Sequence, residues 1–269
     1  PDSVTWRVLV SPAAPIGTAT AVLAQMLHPR VARLLAQAST FERNPALRAE
    51  LTAQYATTTT YGDTEAAERA GAALRRLHSR MKAVDVVTGE AYAADEPDLL
   101  FWVHVTIPWA MLRALDRWGP QLTMEEKDRF VHEQRTAARL VGLDPESVPG
   151  TVADLERAID EMMPQLAYTS AAGRIRAIMV PRAVPRNVTD AVARVVQLAA
   201  VDLLPREMRE LYGYWWGPLQ RGALSLATTG IVRAAASKAP SRDQMVAKMR
   251  EQATTHAFGA RALRVNREM

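Results

Sequence analysis

Two histidines are the first residues in this sequence with the means to do chemistry. His78 closes the run Leu74-Arg75-Arg76-Leu77-His78, and His104 closes Trp102-Val103-His104. Both fall on the apolar side of successive predicted helices. Burying an imidazole is costly unless a hydrogen bond or a metal takes up its nitrogens. The chain has five histidines and no cysteine, so two inward imidazoles fit a single haem iron better than a zinc site, which draws three or four protein ligands. Spacing alone also admits simpler readings. His78 can be a satisfied core histidine, and His104 can make a structural hydrogen bond near Pro108, which frees a carbonyl one turn back. Gly71 shares the face of His78, and a mid-helix glycine, costing about 1 kcal/mol against alanine, marks the close approach of something flat or bulky. His28 stands beside Gln25 at a helix break, where a pocket wall and an ordinary loop are both open readings. His256 has no informative neighbours.

Glu133 is the third candidate. Along its predicted helix, Glu125, Asp128, His132, Arg135 and Arg139 recur at three- and four-residue steps on one charged face, which puts His132 at the surface. Phe130, Glu133, Ala137 and Leu140 form the other face, so Glu133 is expected to point inward. A buried carboxylate needs a partner or a raised pKa. A salt bridge to Arg75 or Arg48 is one reading, and a functional acid or base is the other. Motifs for rival chemistries are missing: no glycine-rich phosphate loop, no His-Glu-x-x-His, no Glu-x-x-His pair of a di-iron bundle, no Gly-x-Ser-x-Gly elbow.

These residues must be held by helices, because helical periodicity dominates and no sustained alternation appears. Pro15 starts a first helix over 16–37, interrupted at His28-Pro29. Asn44-Pro45 opens a second, ended by the threonine run and Gly62. Asp63 caps a third over 64–84, followed by a Thr88-Gly89 turn. Asp95-Glu96-Pro97 starts a fourth, to Trp118. Thr123 with Glu126 makes a capping box for a fifth that ends at Gly142. A short helix over 151–162, an apolar run over 188–204, a buried helix over 217–236 and a basic amphipathic tail from Arg242 complete the series. The expectation is an all-α fold, a single helical domain over 1–269 with a globin-like arrangement around a haem pocket. Of its residues, 48% are hydrophobic, enough for a continuous core. A net charge of +4, from 33 basic and 29 acidic residues spread along the chain, is no nucleic-acid footprint. No apolar run reaches the roughly 18 residues of a bilayer span. Pro1-Asp2-Ser3-Val4 shows no leader pattern, so a cytoplasmic location is expected.

Taken in order, a set of landmarks adds what spacing cannot: Gln25-x-x-His28-Pro29-x-Val31-Ala32, Ser39-x-Phe41, Pro45-x-x-Arg48-x-x-x-Thr52, Gly62, Leu77-His78, Tyr92-x-Ala94, Pro97-x-x-Leu100-x-Trp102-Val103-His104, Glu133, Leu140-x-Gly142-Leu143 and Val148-Pro149. In this order and spacing, over most of residues 16–165, the chain resembles the MpaB/rubber-oxygenase (latex-clearing-protein-like) family of all-α b-type haem oxygenases. The resemblance implies that His78 is the proximal axial ligand of a haem b iron. It also implies that Arg48 and Thr52 lie on the opposite side, able to donate to dioxygen, with Arg48 alternatively pairing a haem propionate. Glu133 would then serve as general base or as an anchor for the His78 helix, Gly71 would lie close to the cofactor, and His28 and His104 are cofactor-side candidates, either of which would favour a non-catalytic haem protein if it closed the sixth position. Rubber oxygenases carry Arg-x-x-Lys-Thr. Here Arg48-Ala49-Glu50-Leu51-Thr52 lacks the lysine, Ala83 replaces a usual glycine, and 33–37 lacks a usual glycine and histidine, all of which argue against polyisoprene as substrate. The function so implied is a haem-dependent oxygenase acting with dioxygen on a hydrophobic small molecule. A non-catalytic haem sensor or store and a cofactor-free helical interaction module are the alternatives.

Overall fold

Cap and proline signals locate most helix ends in the computed structural model, which describes residues 3–39, 41–255 and 258. In chain order the elements are α1 (Val4–Leu9), α2 (Ala14–Gln25), α3 (Pro29–Ala38), α4 (Pro45–Tyr61), α5 (Thr64–His78), a hairpin of β1 (Lys82–Val84) and β2 (Ala91–Ala93), then α6 (Pro97–Trp118), α7 (Met124–Val141), α8 (Val152–Met162), α9 (Ser170–Met179), α10 (Val188–Leu203), α11 (Arg206–Leu211), α12 (Pro218–Lys238) and α13 (Arg242–Thr255). The fold is all-α apart from that hairpin. The Asn44 side chain accepts from Leu47 N and that of Asp63 from Ala66 N, each taking up a donor that a helix start leaves free. Thr123 and Glu126 form the reciprocal capping box. Gly142 ends α7 at φ 101°, a left-handed conformation that glycine adopts without strain.

α6 is the axis of the main core. Its Trp102 and Trp109 are fully buried, and it packs chiefly against α2, which also carries α10 on another side. Gln25 ties the two helices: its Nε2 donates to Val103 O and Thr106 Oγ1, and its carbonyl accepts from Trp102 Nε1. On the far side of α2, Thr20 Oγ1 reaches Ala200 O of α10 at 3.0 Å. A smaller apolar cluster, built on Leu51, Ala70, Ala73, Leu74, Leu77 and Met81 with Phe258, lies between α4 and α5. Among the described residues no helix is long and apolar enough to cross a membrane.

Four expectations are corrected. The third predicted helix stops at His78, not Val84: Arg80 N and Met81 N fold back on Leu77 O, and Lys82–Val84 pairs with Ala91–Ala93 instead. Strands of three residues are too short to show alternation. Helices α1, α9 and α11 occupy stretches where none was expected. Finally, α12 is no buried helix. Of its residues Thr228 and Val232 are buried, while Leu219 is 90% and Leu226 77% exposed. Apolar and small residues on every side of a helix do not define a face that packs.

Candidate functional site

The two-residue connection Gly62-Asp63 folds α5 back along α4, and such a short link between helices leaves them antiparallel. The first turn of α4 therefore meets the last turn of α5, which brings Arg48 to His78. Burial, with the Arg48 charge second, drives the His78 pKa down to about 4, and Asp95 acts against both. The imidazole is thus neutral at pH 7. Its Nδ1 is buried without a hydrogen-bond partner. Arg48 is half-buried, burial lowers its own pKa, and it makes no ion pair among the described residues. Around this couple stand Leu47, Leu51, Leu74, Leu77 and Met81. The result is an uncharged imidazole and an uncompensated cation in an apolar setting.

Other candidates lie elsewhere or behave otherwise. Thr52 is exposed, and its hydroxyl donates to Arg48 O at 2.9 Å; its neighbour Leu51 is the inward residue at 5% exposure. His28 is buried at the start of α3. Its pKa is lowered chiefly by burial, against an upward pull from Asp98, and its Nδ1 too lacks a partner. His104 is buried on α6, with its pKa lowered by burial to about 4. It sits one turn after Leu100, which packs with Ala138, Leu143 and Val148. The carbonyl that Pro108 leaves without a helical donor is His104's own. His132 is exposed, as the charged face of α7 requires. His256 lies outside the described residues.

Two expected roles are corrected. Glu133 does not pair with Arg75 or Arg48, nor does it face His78. Its carboxylate caps α1, accepting from Ser3 Oγ at 2.7 Å, Val4 N at 3.1 Å, and Thr5 N and Oγ1 at 2.8 and 2.7 Å, with Arg129 Nε at 3.2 Å. Burial works against its charge, but the hydrogen bonds from Thr5, Ser3 and Val4 prevail and hold the carboxyl below its ordinary range. A base so fully engaged has no lone pair to spare. Gly71 admits a backbone, not a cofactor. A Cβ there would stand 2.8 Å from Leu140 O of α7, and Arg75 Nη1 donates to the same carbonyl at 2.6 Å.

Three residues that sequence reasoning passed over complete the picture. Tyr55 and Thr58 continue the face of Arg48 and Leu51 at helical spacing, a pattern the sequence displays. Phe258 packs on Tyr55 from far along the chain, and nothing local announces it.

The two most strongly shifted imidazoles, His78 and His104, give a pH test. A histidine whose pKa is depressed by folding contributes stability above its unfolded value near 6.5, and that stability is lost as pH falls toward the folded value near 4. Each such group steepens the loss by up to about 1.4 kcal/mol per pH unit in that window. His104→Leu is expected to flatten the urea-unfolding free energy between pH 6.5 and 4 and to leave the α4–α5 cluster intact. An unchanged slope contradicts burial of His104 as a neutral group.

Comparison with known families is specific: the chain belongs to the family described as ER-bound oxygenase mpaB/B'/rubber oxygenase, catalytic domain, whose family model matches residues 6–235. It is therefore an oxygenase domain. No curated protein and no solved structure matches the chain. The family match stops within α12, so α13 and Phe258 lie beyond it.

Proposed function

We propose that this chain is a haem b-dependent oxygenase that acts with dioxygen on a hydrophobic small molecule, as a single unit with His78 as the iron ligand. The observation that carries this reading is the His78 imidazole: buried, neutral at pH 7 and without a partner at Nδ1. A metal ligand must be the unprotonated imidazole, and this one needs no proton removed. Among the described residues no three His, Asp or Glu side chains gather as a metal cage. A metal held here must bring most of its own coordination, as a porphyrin does. Haem, when bound, supplies the activation of dioxygen that no side chain can perform.

The chain's own residues do the rest. His78 holds the cofactor from the end of α5. Arg48 offers a planar fork of donors to a carboxylate, which suits a propionate. Leu47, Leu51, Leu74, Leu77 and Met81 keep water from the site and favour an apolar substrate. Leu51 puts a branched hydrocarbon where rubber oxygenases have a lysine, which fits a compact substrate better than a polymer.

The test is titration of the cofactor-free protein with haem, followed by its Soret band. Saturation at one haem per chain is expected, and a linear, unsaturable rise overturns the proposal. The Arg48→Ala protein is expected to bind haem about ten- to a hundredfold more weakly, because a charge-assisted hydrogen bond contributes about 1.5–3 kcal/mol. Arg48→Lys, which keeps the charge and loses the fork, falls between. Equal affinity in all three proteins contradicts a propionate contact.

A further inference from the structure

Among the described residues, three inward polar atoms on α4 and α5 have no hydrogen-bond partner: Tyr55 Oη, Thr58 Oγ1 and His78 Nδ1. Tyr55 follows Arg48 by two turns on the same face of α4, one turn past Leu51. It borders the apolar cluster of Leu51, Leu74 and Leu77, and Thr58 lies a further turn along. Burial raises the Tyr55 phenol to about 12, so at neutral pH it is a hydrogen-bond donor. Its ring meets the Phe258 ring edge to face, with centroids 5.2 Å apart and planes at 75°. Phe258 is itself buried, and it lies beyond the residues the family model matches.

A buried hydroxyl left unpaired costs about 1–3 kcal/mol, and such groups are rare enough in native proteins to call for an explanation. Among the described residues nothing hydrogen-bonds Tyr55 Oη: its packing neighbours are hydrocarbon, and the nearby Arg75 is committed to Leu140 O. The cost is recovered when a ligand presents an oxygen to it. Phe258, Leu51 and Leu74 offer that ligand only apolar surface.

We propose that Tyr55 and Phe258 form the substrate-selecting wall of the α4–α5 site, and that its substrate is a compact hydrophobic molecule bearing one hydroxyl or carbonyl oxygen. That oxygen pairs with Tyr55 Oη, and the hydrocarbon body packs against Phe258, Leu51 and Leu74. The inference rests on the reading of this site as the oxygenase centre. It assigns Tyr55 to substrate selection, with no part in holding the cofactor.

The test is calorimetric titration of the haem-loaded protein with cyclohexylmethanol and ethylcyclohexane, which match in size and differ in one oxygen. The parent protein is expected to bind the alcohol about tenfold more tightly, the worth of one net buried hydrogen bond. Tyr55→Phe is expected to erase that preference while its haem content, read from the Soret band, stays at the parent level. Phe258→Ala is expected to weaken both ligands about fivefold and to keep the preference. No preference in the parent, or a preference that survives in Tyr55→Phe, overturns the role of Tyr55; unchanged binding of both ligands by Phe258→Ala overturns that of Phe258. A parent that fails to retain haem overturns the oxygenase-site reading itself and this inference with it. Full haem without an alcohol preference overturns only the wall.

Discussion

In the His78→Ala protein, stoichiometric haem binding is expected to disappear while the helical fold remains. The two halves of this result have separate causes. Under the proposed function the cofactor is anchored at one imidazole, and among the described residues no other histidine shares the α4–α5 cluster, since His28 lies at the start of α3 and His104 on α6. The fold rests on a different set of side chains: the main core joins α2, α6 and α10 through Trp102, Trp109, Leu23 and Leu115, all at most 2% exposed. Trimming His78 removes a group that makes no hydrogen bond from its buried Nδ1, so little native stability goes with it. Circular dichroism is expected to keep its helical signal, and haem titration to lose its saturation point. Full occupancy with an unchanged Soret band removes His78 from the site.

The second large effect lies far from His78, at Asp202. Its side chain is wholly buried at the end of α10, and three arginines converge on it. Arg117, from the end of α6, pairs with one carboxylate oxygen. Arg221, from the first turn of α12, donates to the other at 2.7 Å, and Arg209 of α11 stands at 4.0 Å. Arg209 also donates to the carbonyls of Asp202 and Leu204. One carboxylate therefore holds four helices together. Removing one member of a buried ion cluster strands the remaining charges, which costs about 3–5 kcal/mol. Asp202→Ala is expected to lose that much in urea unfolding with an unchanged denaturant slope. Haem stoichiometry of the protein that remains folded is expected to match the parent, because the α4–α5 cluster shares none of these residues. A loss below about 1 kcal/mol contradicts the clamp.

Asp202 also shows where sequence reading runs out. Its partners are 85 and 19 residues away along the chain, and within its own apolar run it passes for the polar end of a helix. Helix starts were legible because capping is local: Asn44, Asp63 and the Thr123–Glu126 box each act within three residues. The break at His28-Pro29 was legible for the same reason. Phase along α7 was legible too. It placed His132 outside and turned Glu133 inward, but it could not name the partner, because that partner is the start of a six-residue helix with no periodicity to detect. Gly71 was read correctly as a point of close approach. What approaches is the backbone of α7, and tertiary packing alone decides that. His78 and His104 look alike from spacing and carry similar lowered pKa values; the nearby charge of Arg48 and the antiparallel turn at Gly62-Asp63 single out His78.

The most direct measurement of the central claim is haem titration of His78→Gly with and without free imidazole. Glycine removes the ligand and leaves room for a small molecule to replace it. The account predicts no saturation without imidazole, and restored saturation at one haem per chain, with the parent Soret band, once imidazole is added. Saturation at one haem per chain in His78→Gly without imidazole contradicts it, because some other residue then holds the iron.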